Sequence, residues 1–180
     1  MAQGSSSIRE LSTRMKKDVP STFNRIREWN KWSGDESDVF KRFIFRWISF
    51  NGLYNAHHEG KGGGERDHEP EWKIIENFCN DFVSSQLASK ITKSDAISIF
   101  KENIKDTSRH MGNWLSKIDN KSIPNDERAK AAIMVAYKIR SRLFHGQKNP
   151  DIEVNKIVCE AADLVVSKIL EEFFPATGKV

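Results

Sequence analysis

Apolar side chains recur every three or four residues through most of this 180-residue chain, and no segment of useful length alternates apolar and polar residues as a half-buried strand does. Such spacing places the apolar side chains on one face of an α-helix. The pattern is clearest from Asp35 to about Asn55, from Asn125 to Gly146 and from Ile152 to about Phe174. The sequence therefore predicts an all-α domain, an antiparallel helical bundle of four to five main helices plus short N-terminal helices.

Shorter helices are predicted elsewhere from the same spacing. The first is expected at residues 8–18, and a second begins at a Ser21 cap and ends at Gly34. A third covers residues 69–88, with Trp72 facing the core. A fourth starts at Thr92 or Ser94, and a short fifth helix lies around residues 111–118. Asn125 is the expected N-cap of the long helix that follows. Residues 56–70 contain four glycines, which favour a flexible loop.

One domain fits this chain length, and eleven Phe and five Trp supply the large apolar side chains that its core requires. We expect residues 1–19 to form an N-terminal helical extension that is partly disordered. The bundle should occupy residues 20–174, and residues 175–180 should form a C-terminal tail.

The charge and the cysteines restrict where this protein works. The 29 Lys and Arg residues against 25 Asp and Glu give a net charge of +4, a mild excess that permits nucleic acid as a partner. No run approaches the ~18 apolar residues of a membrane span, and the first residues lack the apolar centre of a signal peptide. Cys79 and Cys159 lie in apolar helical patterns, so buried free thiols are predicted, with a disulfide as the alternative. We expect a cytoplasmic protein that does not bind membranes.

The glycine-rich loop also raises the hypothesis of a metal site. Its candidate ligands are His57, His58, Glu59, Asp67 and His68. Metal sites need ligands on a preorganised frame, which a loop with four glycines does not provide. The prediction is therefore that the protein uses no metal and no cofactor.

Residues 137–146, Tyr-Lys-Ile-Arg-Ser-Arg-Leu-Phe-His-Gly, close the second long helical pattern. Gly146 just past the last apolar position is a helix stop, so Arg140 and His145 lie about one turn apart at the helix end. Arginine can hold an oxyanion with forked donors, and histidine can transfer protons near neutral pH. This pair suits phosphodiester chemistry. The alternative is that the histidine only caps helix carbonyls and complements the helix dipole.

Asn51 is the one polar member of the apolar stripe predicted for residues 35–55, one turn after Trp47. A buried amide needs hydrogen-bond partners. Two interpretations remain open at this stage. Asn51 either makes a structural hydrogen bond to a neighbouring helix, or it orients the Arg140 and His145 pair or contacts its ligand.

The motif Arg140, four residues, His145 and Gly146, set between two long helices, resembles the HEPN superfamily. The aromatic helix from Phe43 to Tyr54 with its embedded polar residue is similar to that family as well, and the resemblance runs from about residue 20 to 174. It implies a bundle that dimerises with two Arg/His sites facing each other. Many members are metal-independent endoribonucleases of toxin–antitoxin, CRISPR and anti-phage systems. Ser141 departs from the family, in which Asn, Asp or His often follows the arginine.

On this resemblance we expect a hydrolase that cleaves RNA, with Arg140 and His145 as the catalytic residues. The remaining expected roles are support by Asn51, Ser141 and Tyr137, and attraction of the RNA backbone by Lys138, Arg142 and Lys148. One imidazole cannot easily take and give a proton on opposite sides of one phosphorus, which is a physical reason to expect a homodimer.

Two other hypotheses fit the same residues. One is a non-catalytic HEPN-like module that binds a nucleotide or a partner protein such as a nucleotidyltransferase-type antitoxin. The other is an all-α structural or interaction protein in which Arg140 and His145 only form caps and ion pairs.

Overall fold

The computed structural model describes residues 7–62, 69–105, 108–146 and 152–175. Every regular element in these ranges is an α-helix, and the helices pack on one another as a bundle, so the predicted all-α fold is confirmed. The helices are α1 (Ile8–Asp18), α2 (Pro20–Asp35), α3 (Val39–Gly60), α4 (Glu71–Phe82), α5 (Ser85–Thr92), α6 (Ala96–Asn103), α7 (Arg109–Asp119), α8 (Asn125–Phe144) and α9 (Glu153–Phe173).

The long helices α3, α8 and α9 surround the core. Helix α3 packs on α2 and α9, and α8 packs on α5, α7 and α9. The predicted apolar stripe of α3 is buried, as the exposure of Phe40, Phe43, Trp47, Phe50 and Tyr54 shows. Small side chains on α8, such as Ala132 and Ala136, are buried as well and allow close helix packing.

Helices α2 and α3 approach each other closely at Gly52. A Cβ atom added there would lie 2.8 Å from Cγ1 of Ile26. The Ser49 hydroxyl donates a hydrogen bond of 2.8 Å to the backbone carbonyl of Ile26 at the same crossing. Glycine at position 52 is therefore needed for this spacing of the two helices.

Several predicted boundaries are wrong. The helix predicted for residues 69–88 is two helices, because the Ser84 side chain accepts a hydrogen bond from the Leu87 amide and caps α5. Trp72 does not face the core and is 45% exposed, since it lies in the first turn of α4 at the edge of the buried stripe. Helix α2 begins at Pro20 without a Ser21 cap and continues through Gly34 to Asp35, and Pro124 rather than Asn125 is the N-cap residue of α8.

The predicted loop at residues 56–70 is partly helical, because α3 continues to Gly60. His57 is buried there against the rings of Phe78 and Phe82, which extends the packed face of α3 by one turn. Asp67 and His68 of the same predicted loop lie outside the described residues, as do residues 1–6 and 176–180 of the predicted extension and tail.

Cys79 and Cys159 are both buried and are not joined in a disulfide, as predicted. Burial raises the pKa of the Cys79 thiol to about 12. None of the helices in the described ranges is long and apolar enough to cross a membrane.

Candidate functional site

Arg140 lies near the C-terminal end of α8, where α3 and α4 pass beside it. Its Nη1 donates a hydrogen bond of 3.0 Å to Oε2 of Glu71, the first residue of α4. The Arg140 side chain is 23% exposed and that of Glu71 30% exposed, so the ion pair is only partly solvated. A carboxylate in the first turn of a helix is also favoured by the helix dipole. The pair thus connects α8 to the start of α4.

Two side chains of α3 form the other hydrogen bonds to the Glu71 carboxylate. The Tyr54 hydroxyl donates to Glu71 Oε1 at 2.5 Å, and Asn51 Nδ2 lies 3.3 Å from the same oxygen and 2.5 Å from the Tyr54 hydroxyl. Burial and the neighbouring Glu71 raise the pKa of Tyr54 far above its usual value, so the phenol remains protonated. We call Arg140, Glu71, Tyr54 and Asn51 the Arg140 cluster.

The cluster bears on both interpretations of Asn51. Its amide makes an interhelical hydrogen bond to Glu71, as the structural interpretation expects. Because Glu71 also holds Arg140, the same amide contributes to the orientation of the guanidinium. Asn55 extends the network by donating a hydrogen bond of 3.1 Å to Oδ1 of Asn51.

Aromatic rings border the guanidinium of Arg140. Its Cζ lies 4.7 Å from the ring centre of Phe144 and 5.8 Å from that of Trp47. Such contacts attract a cation to the ring face. Phe144 is 54% exposed, and the ring of Tyr137 lies 6.2 Å from that of Trp47. Burial, followed by the charge of Glu71, raises the pKa of Tyr137. Arg140 is therefore fixed at the edge of the protein, next to solvent.

His145 is not part of this cluster. It is the exposed C-cap residue of α8, and Gly146 follows with a φ of +66°, which ends the helix as predicted. Its side chain makes no hydrogen bond or ion pair with another residue of the described ranges. Five residues along a helix rotate a side chain by about 140° relative to the first, so His145 and Arg140 do not share one helix face.

Three other predicted site residues lie at the same end of α8. Lys138, Ser141 and Arg142 are half-buried in the last two turns of α8, and Lys148 lies outside the described residues. Two predicted supporting residues contact neighbours of Arg140. Asn51 donates a hydrogen bond to Glu71, and Tyr137 packs on Trp47.

Glu71 and Tyr54 are functional candidates that the sequence analysis missed. Tyr54 looked like an ordinary member of the apolar stripe of α3. Glu71 follows Pro70 at the beginning of a predicted helix, where an acidic residue is common for reasons of helix stability alone. Only the packing of α4 against α3 and α8 brings its carboxylate to Arg140.

A second polar group joins the C-terminal ends of α3 and α4. His57 Nε2 is 2.7 Å from Oδ2 of Asp81, which also contacts Lys61. Burial lowers the pKa of His57, whereas hydrogen bonds from Lys61 and His57 hold the pKa of Asp81 below its usual value in spite of partial burial. Within the described ranges, no three His, Cys, Asp or Glu side chains are grouped closely enough to hold a metal ion.

Comparison with protein-family models, with curated proteins and with solved structures finds no match to this chain. The function must therefore be inferred from the chemistry of the described side chains.

Proposed function

We propose that the protein is a metal-independent endoribonuclease of HEPN type that cleaves RNA at a cleft between two copies of the chain. The observation that supports this proposal is the orientation of the Arg140 guanidinium. The guanidinium is oriented by Glu71 and by the rings of Trp47 on α3 and Phe144 on α8, and only Nη1 makes a hydrogen bond to a described residue. His145 is the exposed C-cap residue of the same helix on a different face from Arg140, so in this proposal the two groups act together only at a cleft that two copies build.

The chemistry needs no group beyond these side chains. The 2′-hydroxyl oxygen attacks the adjacent phosphorus while His145 accepts its proton, and the bond from phosphorus to the 5′-oxygen breaks. Arg140 binds the phosphate oxygens as negative charge develops there. His145 of a second copy gives a proton to the departing 5′-oxygen. The products are a 2′,3′-cyclic phosphate and a 5′-hydroxyl, and DNA is not cleaved because it lacks the 2′-hydroxyl.

We propose supporting roles for the neighbouring residues. Asn51 orients Arg140 through Glu71, while Ser141 and Tyr137 line the same part of α8. Lys138, Arg142 and Lys148 attract the RNA backbone. In this proposal the chain acts in the cytoplasm as a homodimer and serves as a toxin of a toxin–antitoxin or defence system, with a nucleotidyltransferase-type antitoxin as its partner.

The test is RNA cleavage by the purified protein in EDTA. Single-stranded RNA should be cut to products with 2′,3′-cyclic phosphate ends, and His145→Ala and Arg140→Lys should each lower the rate at least a hundredfold, as expected for loss of a proton-transfer group or an oxyanion donor. Arg109→Lys and His110→Ala are matched controls, since these two residues of α7 are exposed and neither pairs with a residue of the Arg140 cluster. Equal rates in all four variants would remove Arg140 and His145 from the mechanism.

A second candidate function is a non-catalytic module that binds a nucleotide or a protein. The observation that favours it is the ion pair itself, because the carboxylate of Glu71 already occupies part of the guanidinium of Arg140. RNA binding that is sensitive to Arg140→Lys, without any cleavage in EDTA or in Mg²⁺, would support this candidate instead.

A further inference from the structure

A polar groove of about 260 Å³ lies between α2 and α3, beside the Arg140 cluster. Thr22, Arg25 and Trp29 of α2 line one wall, and Asn51, Asn55 and Glu59 of α3 line the other. The close helix crossing at Gly52 forms its floor. Drug-sized ligands occupy pockets of roughly 300–1,000 Å³, so this groove suits a smaller planar group.

Trp29 provides a fixed aromatic wall. It is half-buried, and its ring lies 5.0 Å from the ring of Trp32 and 5.6 Å from that of Phe45. A tryptophan held on one side by other rings can offer its remaining surface to a stacked base at little entropic cost. The wall therefore fits an aromatic ligand.

Asn55 and Arg25 provide the polar contacts. Asn55 donates through Nδ2 to Asn51, which leaves its Oδ1 as an acceptor with no hydrogen bond from the described residues. Ring and amino N–H groups of bases are donors of the matching kind. Arg25 is exposed at the groove, and within the part of the chain that the structure describes it makes only a long 3.5 Å contact with Thr22, so its guanidinium can bind a phosphate.

We infer that the groove between α2 and α3 is a subsite for one nucleotide of single-stranded RNA, with its base on Trp29 and Asn55 and its phosphate on Arg25. This inference rests on the proposed ribonuclease function. Asn51 belongs both to the groove and to the Arg140 cluster, so a nucleotide in the groove places the next part of the strand near Arg140. Stacking on an aromatic ring together with backbone contacts is how proteins bind single strands without strict sequence preference.

The test compares a ten-nucleotide single-stranded RNA with an abasic strand of the same length and charge. Binding is measured by fluorescence anisotropy in a His145→Ala background, which prevents cleavage. Trp29→Leu and Asn55→Ala should weaken binding of the RNA about five- to a hundredfold and leave binding of the abasic strand unchanged. Trp29→Phe should retain binding because it keeps an aromatic face, and Arg25→Ala should weaken both strands.

Asn24→Ala and Arg27→Ala are matched controls on exposed positions of α2 that do not line the groove. Thermal unfolding by circular dichroism checks that each variant is folded. Groove variants that bind the RNA and the abasic strand in the same ratio as the parent protein would overturn the subsite. So would tight binding of a nucleoside monophosphate that the RNA cannot displace, since the groove would then serve a free nucleotide.

Cleavage by the wild-type protein separates this inference from the proposed function. Cleavage that depends on Arg140 and His145, together with groove variants that bind RNA normally, would remove the subsite and keep the ribonuclease. RNA binding that depends on Trp29 and Asn55, without any cleavage, would keep the subsite and remove the ribonuclease. Failure to bind either the RNA or the monophosphates would overturn the subsite.

Discussion

The carboxylate of Glu71 and the guanidinium of Arg140 lie 3.0 Å apart although 69 positions separate them in the chain. The contact joins the start of α4 to the end of α8, and Tyr54 supports it from α3. In the free protein Glu71 therefore both orients Arg140 and neutralises it. A phosphate that binds Arg140 must compete with this carboxylate.

The first prediction concerns that competition. In a His145→Ala background, Glu71→Gln should tighten binding of single-stranded RNA about two- to fivefold, because a partly exposed ion pair contributes roughly 0.2–1 kcal/mol and its loss frees the guanidinium. Glutamine keeps the shape of the side chain and can still accept from Tyr54. Fluorescence anisotropy at low salt measures the affinity.

Glu76→Gln is the control for Glu71→Gln. It removes the same charge from the same helix, where Glu76 pairs with Lys73 instead of Arg140. An equal gain in affinity from both variants would mean that only the overall charge matters, and the competition at Arg140 would be rejected.

The second prediction concerns the hydroxyl of Tyr54. Tyr54→Phe should lower the free energy of unfolding by about 1–2 kcal/mol, since the buried hydroxyl donates to Glu71 and accepts from Asn51. Urea unfolding followed by circular dichroism measures the change. Tyr137→Phe should shift the stability by less than about 0.5 kcal/mol, because that hydroxyl makes no hydrogen bond within the described residues. Equal losses in both variants would contradict the role of Tyr54 in the cluster.

Much of the fold could be predicted because each long helix has a repeating apolar pattern in its own sequence. The apolar stripes of α3, α8 and α9 repeat over five turns or more, and their burial follows directly from the spacing. Two of the errors occur where one polar residue determines a helix boundary. Ser84 caps α5 and so divides the predicted helix of residues 69–88. His57 forms a hydrogen bond with Asp81 of α4, and this contact favours the continuation of α3 into the predicted loop.

The candidate site was predictable only in part, because it is formed by contacts between helices that are distant in sequence. Arg140 and Asn51 could be named from a motif and from an odd position in an apolar stripe, and the structure connects them. The connecting residue, Glu71, belongs to a third helix, and no local pattern reports a contact between distant segments. The resemblance to HEPN proteins does not identify it either. The separation of His145 from the cluster, by contrast, follows from the five-residue spacing of His145 and Arg140 along α8.

The third prediction concerns the crossing of α2 and α3. Gly52→Ala should destabilise the protein by about 1–3 kcal/mol, because the new methyl group would overlap Ile26 in a buried contact. This loss outweighs the gain of roughly 1 kcal/mol that alanine brings to a helix interior. Gly112→Ala, at a helical position with nothing within 4 Å of the added carbon, should be stabilising by about that gain. Urea unfolding of the two variants should therefore give shifts of opposite sign.

The fourth prediction concerns the pair formed by the buried His57 and the half-buried Asp81. Burial lowers the pKa of His57 below its usual 6.5 even though the hydrogen bond to Asp81 acts in the opposite direction. As the pH falls, the unfolded chain therefore binds a proton at this histidine at a higher pH than the folded protein does. Linkage then requires the free energy of unfolding to fall as the pH is lowered from 7 to 5. The lowered pKa of Asp81 adds a further loss only near and below its usual 3.8.

His57→Gln should reduce this pH dependence, because glutamine can still donate to Asp81 but does not titrate. We expect a smaller difference between the unfolding free energies at pH 7 and pH 5 than in the wild type, measured by urea titration at each pH. His110→Gln, which alters an exposed histidine on α7, should leave the difference unchanged. A wild-type pH dependence in His57→Gln would show that the loss of stability in mild acid arises elsewhere, and a rise in stability on acidification of the wild type would contradict the sign of the shift at His57.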